Sequence, residues 1–82
     1  MYTIVPTPQY LRAYQKLSRE IQLRADKAHE LLKDNPKHPS LHTHKRKGED
    51  GVWQARVTRS YRTYFHLEGD VITLLEVIPH EK

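Results

Sequence analysis

The chain has 82 residues, a formal net charge of +4 and no cysteine. Such a length implies a single domain, residues 1 to 82, whose small core removes about 60 to 65% of the unfolded surface from water, with no room for a long channel or a large cofactor pocket. Lack of cysteine excludes a disulfide framework, a thiolate metal site and a thiol nucleophile, and no leader-like or membrane-length apolar run is present, so a soluble cytoplasmic protein is expected.

The first element is a short strand, "YTIV", ended by Pro6. Thr7 followed by Pro8 is a helix start: the hydroxyl accepts from an unpaired N–H, and proline lacks a donor where none is needed. Leu11, Tyr14 and Leu17 recur at helical spacing. Ser18 is placed to cap a second helix reaching about Asp34. There Leu17, Ile21, Ala25, Ala28 and Leu32 form a narrow apolar stripe whose alanines permit close packing. Its other face pairs Glu20 with Arg24 and Glu30 with Lys33 at spacings that suit a solvated surface.

Pro36 and Pro39 stop the helix, and "LHTHKRK", residues 41 to 47, reads as an exposed edge strand leading into the turn "GEDG". The last third reads as a three-strand meander near residues 52 to 58, 61 to 68 and 71 to 78, with Gly69 and Asp70 as a two-residue hairpin turn. "VITLLEVI" is apolar at nearly every position, as in a strand covered on both faces. The order predicts an α+β fold, with an N-terminal strand and a two-helix hairpin packed on one face of a twisted, mainly antiparallel sheet.

Charge is concentrated in the middle of the chain. Residues 36 to 62 carry Lys37, Lys45, Arg46, Lys47, Arg56, Arg59 and Arg62 against Glu49 and Asp50. A local basic excess points to a polyanion, most simply nucleic acid, against the plainer reading of a solvated face.

Register decides where the hairpin arginines point. A two-residue turn at Arg59 and Ser60 would set Val57 beside Arg62 and mix polar with apolar groups on each face. A three-residue loop, Thr58 to Ser60, sorts them: Trp53, Ala55, Val57, Tyr61, Thr63 and Phe65 on one side, and Gln54, Arg56, Arg62, Tyr64 and His66 on the other. Arg56 and Arg62 then become cross-strand neighbours that repel unless an anion lies between them, which makes them a candidate phosphate clamp. Tyr64 beside them is a candidate base-stacking ring. The plainer alternative pairs both arginines with Glu68 or Glu76.

The sequence of strand, two-helix hairpin, "NPKHPSLHTHK", "GVWQARVTRSYRTYF" and "GDVITLLEVIPH", with Arg62 nine residues after Trp53, resembles the RelE/ParE superfamily of bacterial toxin-antitoxin proteins over nearly the whole chain. The resemblance implies two helices on a twisted sheet, and often an endoribonuclease that enters the ribosomal A site and cleaves mRNA. In such members the ribose 2′-OH attacks the adjacent phosphodiester without a metal. Arg62 matches the arginine of the family's "YR" or "HR" dipeptide, a transition-state stabiliser. Arg56 matches a basic position on the preceding strand, and His80 the C-terminal His or Tyr region that protonates the departing 5′-oxygen. Some relatives place a glutamate as general base where this chain has "HPSLHTHK", so His42, His44 or Lys45 would substitute. The chain also ends at Lys82 without the terminal aromatic of several active members.

The catalytic candidates are therefore Arg62, Arg56, His80 and Lys45, and the nucleic-acid-binding candidates Arg46, Lys47, Arg59, Tyr64, His44 and His42. No cofactor is expected. His38, His42 and His44 invite a metal reading, but a zinc site needs three or four ligands on a rigid frame, and no acid follows before Glu49. Trp53 belongs with the core side chains of its face. The expected partners are a cognate antitoxin, the ribosome and mRNA. Alternative functions are a ParE-type inhibitor of DNA gyrase and a noncatalytic RNA-binding remnant, since one fold hosts all three.

Overall fold

The structure, a computed structural model, describes residues 1–79. The chain runs through β1 (Thr3–Pro6), α1 (Pro8–Gln15), α2 (Arg19–Asp34), one 3-10 turn (Pro39–Leu41), β2 (His44–Lys45), β3 (Val52–Arg56), β4 (Tyr61–Glu68) and β5 (Val71–Pro79). The strands form one sheet in the order β1-β5-β4-β3-β2. β1 runs parallel to β5, and the other neighbours are antiparallel. The α+β architecture and its element order match the expectation from sequence.

Both helix starts form as their residues dictate. Thr7 Oγ1 accepts from Tyr10 N at 3.1 Å and donates to Leu74 O at 2.8 Å, so one hydroxyl both caps α1 and ties it to β5. Ser18 Oγ accepts from Ile21 N at 3.3 Å to begin α2. Ala25, Ala28 and Leu32 of α2 are buried with Tyr10 of α1 against Ala55, Val57, Phe65, Ile72, Leu74 and Val77 of the sheet. Thr63 is wholly buried among them, and its hydroxyl donates to Glu76 O at 3.1 Å.

Two expectations change. The segment 41 to 47 is an edge strand only at His44 and Lys45, because the turn at Pro39–Leu41 buries Leu41 and His42 then takes a left-handed backbone, φ 49°. That reversal ends any straight run through residue 42. The apolar run of β5 also has another origin than cover on both faces. Tyr64 faces Glu76 but Phe65 faces Leu74, so Leu75 is an extra residue, a β-bulge. The bulge brings Val77 to the helix-covered face with Ile72 and Leu74, which simple alternation would forbid, while Thr73, Leu75, Glu76 and Ile78 remain half-buried.

Candidate nucleic-acid interface

The β3–β4 hairpin forms in the sorted register. Trp53 faces Phe65, Gln54 faces Tyr64, Ala55 faces Thr63, and Arg56 faces Arg62. Three residues, Thr58 to Ser60, make the loop, and the N–H groups of Val57 and Thr58 both donate to Tyr61 O, at 3.1 and 3.3 Å. Thr58 Oγ1 fixes the loop from inside by accepting from Ser60 N and Tyr61 N, each at 3.1 Å.

Arg62 is anchored to that loop. Its Nη1 donates to Thr58 O at 2.8 Å, Tyr61 O at 3.1 Å and Arg59 O at 3.3 Å. No ion pair joins Arg56 or Arg62 to a carboxylate among the described residues; Glu76, one proposed partner, pairs instead with Arg46 at 3.8 Å. Burial and then the facing Arg56 guanidinium lower the affinity of Arg62 for its proton, with Tyr64 acting in the opposite sense. A guanidinium stays charged despite such a shift, so the pair is a site short of negative charge. The Nε and Nη2 donors of Arg62 have no partner among the described residues and are free for an oxyanion.

Arg46 lies on the same face as this pair. Its guanidinium sits 4.3 Å from the centroid of the Tyr64 ring, and its ion pairs reach Glu49 and Glu76. Tyr64 is buried beneath it, 8% exposed, so a base can stack on that ring only after Arg46 moves aside.

Lys45 goes elsewhere. Its register partner is Trp53, on the helix-covered side, and Nζ lies 5.6 Å from the indole centroid, with Lys37 Nζ at 5.9 Å. The sheet therefore separates Lys45 from the Arg56 and Arg62 side chains. Trp53 is half-buried and packs against the core, as its face demanded.

His44 Nδ1 donates to His42 O at 3.0 Å, and its Nε2 meets the Gln54 side-chain amide, which occupies both ring nitrogens. His42, Lys47 and Arg59 are exposed. His44, Lys45, Arg46, Lys47 and Gln54 surround a shallow hollow at the β2 edge. His80 lies outside the described residues; the strand leading to it ends at Pro79, whose register partner is Tyr61, the neighbour of Arg62. Among the described residues, no three His, Asp or Glu side chains converge as metal ligands, and no helix is long and apolar enough to cross a membrane.

The fold also brings Arg24 and Lys27 of α2 to the hairpin tip, beside Arg56 and Arg59. Sequence placed Arg24 on a solvated face and gave Lys27 no role. Their spacing with Leu31, three and then four residues, was the available signal that all three share one flank.

No protein-family model matches the chain, and no curated protein sequence does. Solved structures do match. The archaeal RelE of a RelE-RelB complex from Pyrococcus horikoshii OT3 superimposes with a TM-score of 0.79 at 22% identity, covering 95% of this chain and 93% of that one. A YoeB dimer from Staphylococcus aureus gives 0.80 at 15% identity over 98% of each chain. The intact RelBE toxin-antitoxin complex of E. coli gives 0.79 at 17% identity over 100% of each. At such identities the likeness is one of fold, and the chain has the RelE/ParE-like fold.

Proposed function

We propose that the chain is the toxin of a toxin-antitoxin pair and acts as a ribosome-dependent endoribonuclease on mRNA. The carrying observation is the Arg56–Arg62 cross-strand pair, one member of which is pinned to the loop carbonyls through Nη1 alone. In the reaction the ribose 2′-OH gives up its proton to water as its oxygen bonds to phosphorus, the bond from phosphorus to O5′ breaks, and negative charge grows on the phosphoryl oxygens in between. A preorganised guanidinium with free donors stabilises that charge without reorganising as it appears. Arg56 adds a second positive group across the strand, and His80 is the donor of the proton that O5′ requires.

An antitoxin belongs to this reading, since the P. horikoshii and E. coli neighbours are complexes with one. A groove of roughly 430 Å³ between α1 and the ends of β4 and β5, with Ala13, Leu17, Val77 and Ile78 on its walls and Arg12 and Lys16 at its rim, suits an acidic amphipathic segment.

The test is a cell-free translation reaction with purified protein, mapping mRNA ends by primer extension. Cuts in translated frames are expected. Intact mRNA with trapped gyrase-DNA complexes would replace this reading with gyrase inhibition.

A further inference from the structure

The hairpin tip carries a second cationic surface. A cleft of roughly 300 Å³ opens between α2, the Pro39–Leu41 turn and the hairpin, with Arg24 and Lys27 on one wall and Arg56, Thr58 and Arg59 on the other. Its floor is apolar and closed, because Ala28, Leu41 and Val57 are buried there. Two features assemble it. The alanines of α2 let the helix approach the sheet closely, and the three-residue loop carries Arg59 past the end of β3 toward the helix.

Four basic residues from two distant parts of the sequence, Arg24 and Lys27 of α2 and Arg56 and Arg59 of the hairpin, thus line one cleft with no carboxylate residue in its lining. Glu20, one turn before Arg24, lines an adjoining hollow. The ion pairs found among the described residues are those of Arg46, so none neutralises this group. Convergent like charge disfavours the folded state unless an anion joins it.

We propose that this cleft is a second phosphate subsite, holding a backbone phosphate of the same RNA strand whose scissile phosphate lies at Arg62. The proposal rests on the endoribonuclease reading and extends it: Arg56 belongs to both places, facing Arg62 across the strands and lining the cleft. The strand then bends around the hairpin tip, with Arg56 between two phosphates.

The lining favours a sugar-phosphate backbone over an acidic polypeptide. Ser40 and Thr58 add hydroxyls to the four cations. Thr58 Oγ1 already accepts two backbone N–H groups, so what it retains is a proton to donate. Phosphate oxygens accept only, which suits a wall of donors. A polypeptide would also need apolar anchor points, and of the apolar side chains here Leu31 alone is accessible.

The experiment measures binding of a fluorescein-labelled single-stranded RNA 12-mer to the full chain across a salt series, for wild type, Arg24→Gln/Lys27→Gln and Arg24→Glu/Lys27→Glu, with thermal melts beside each. The Gln variant guards against misfolding of the charge reversal. We expect affinity to fall on the order of tenfold in the Gln variant and further in the Glu variant, with the slope of log K against log salt shallower by about 0.7, one phosphate contact on a single strand. Wild-type affinity and slope in the folded variants would overturn the subsite. So would an unchanged RNA affinity with loss of polyglutamate binding, which would assign the cleft to an acidic polypeptide. If wild type binds RNA with the expected slope but cuts nothing on programmed ribosomes, the endoribonuclease reading falls and the phosphate subsite stands.

Discussion

The Tyr10 hydroxyl lies 2.5 Å from His29 Nε2 and joins α1 to α2 across their buried side. The rings also meet edge to face, with centroids 5.4 Å apart. Burial pushes the Tyr10 hydroxyl up, beyond any physiological titration, and pushes His29 down from its ordinary 6.5, while Asp26 and Glu30 oppose the latter. His29 is therefore held neutral in the folded chain near pH 7, with its Nε2 paired to the Tyr10 hydroxyl.

A pH dependence of stability follows. The folded state binds a proton at His29 less readily than the unfolded chain, so stability is fully present above about pH 6.5 and declines as pH falls below it toward the lowered value. Melting temperature should drop between pH 7 and pH 5, and His29→Gln should flatten that drop. An unchanged profile in His29→Gln would assign the acid sensitivity to other groups.

Arg62→Ala should lower single-turnover cleavage on programmed ribosomes by roughly 10² to 10³, the usual loss for one donor facing charge that develops in the transition state. The bonds from Nη1 to three loop carbonyls add a modest loss of hairpin stability, about 1 kcal/mol for a half-exposed group, visible as a Tm lower by a few degrees. Arg62→Lys should recover part of the rate, since a point charge lacks the fork that divides between loop and phosphate. A folded Arg62→Ala chain cutting at the wild-type rate would remove the site.

Gly51 has φ +77°, and a Cβ there would lie 2.8 Å from His66 Nε2. Gly51→Ala should destabilise by about 1 to 2 kcal/mol from the left-handed backbone, plus the displacement of the imidazole. Adding His66→Ala should restore only the second part. Denaturant titration of the two single variants and the double variant separates the contributions, and full recovery in the double variant would show that backbone strain contributes nothing.

What could be read in the sequence was local or parity-bound. Thr7-Pro8 and Ser18 are caps whose chemistry acts within one turn. The hairpin register followed because only one loop length puts Tyr61, Thr63 and Phe65 on the face of Trp53, Ala55 and Val57, and Arg62 and Tyr64 on that of Gln54 and Arg56. The bulge at Leu75 was hidden, because in a run apolar at nearly every position only Thr73 and Glu76, three residues apart, break the parity. The left-handed His42 was hidden too, since a turn buries Leu41 only once the rest of the core exists. Lys45 and Arg46 differ by one residue and so by one face, and their assignment waited on the pairing of a two-residue strand. Spacing put Arg24 and Lys27 on one flank of α2, but that this flank faces Arg59 follows only from the packing of α2 on the sheet.

That last face assignment yields a prediction for Lys45. If Lys45 worked beside Arg62, Lys45→Ala would lose rate on the scale of Arg62→Ala. The register puts its ammonium over Trp53 instead, together with that of Lys37. Truncation should then act on the indole: the cation over the ring face is lost, Trp53 gains solvent, and its fluorescence emission shifts to the red. Cleavage should fall by less than about tenfold, the share of one surface cation that attracts RNA without touching the scissile phosphate. Lys37→Ala, on the other cation of the same ring, should shift the emission in the same sense, and the double variant more than either. A loss of rate in Lys45→Ala comparable to that in Arg62→Ala, at saturating ribosomes and with Trp53 emission unchanged, would return Lys45 to the catalytic face and show that β2 pairs in another register when the chain is bound.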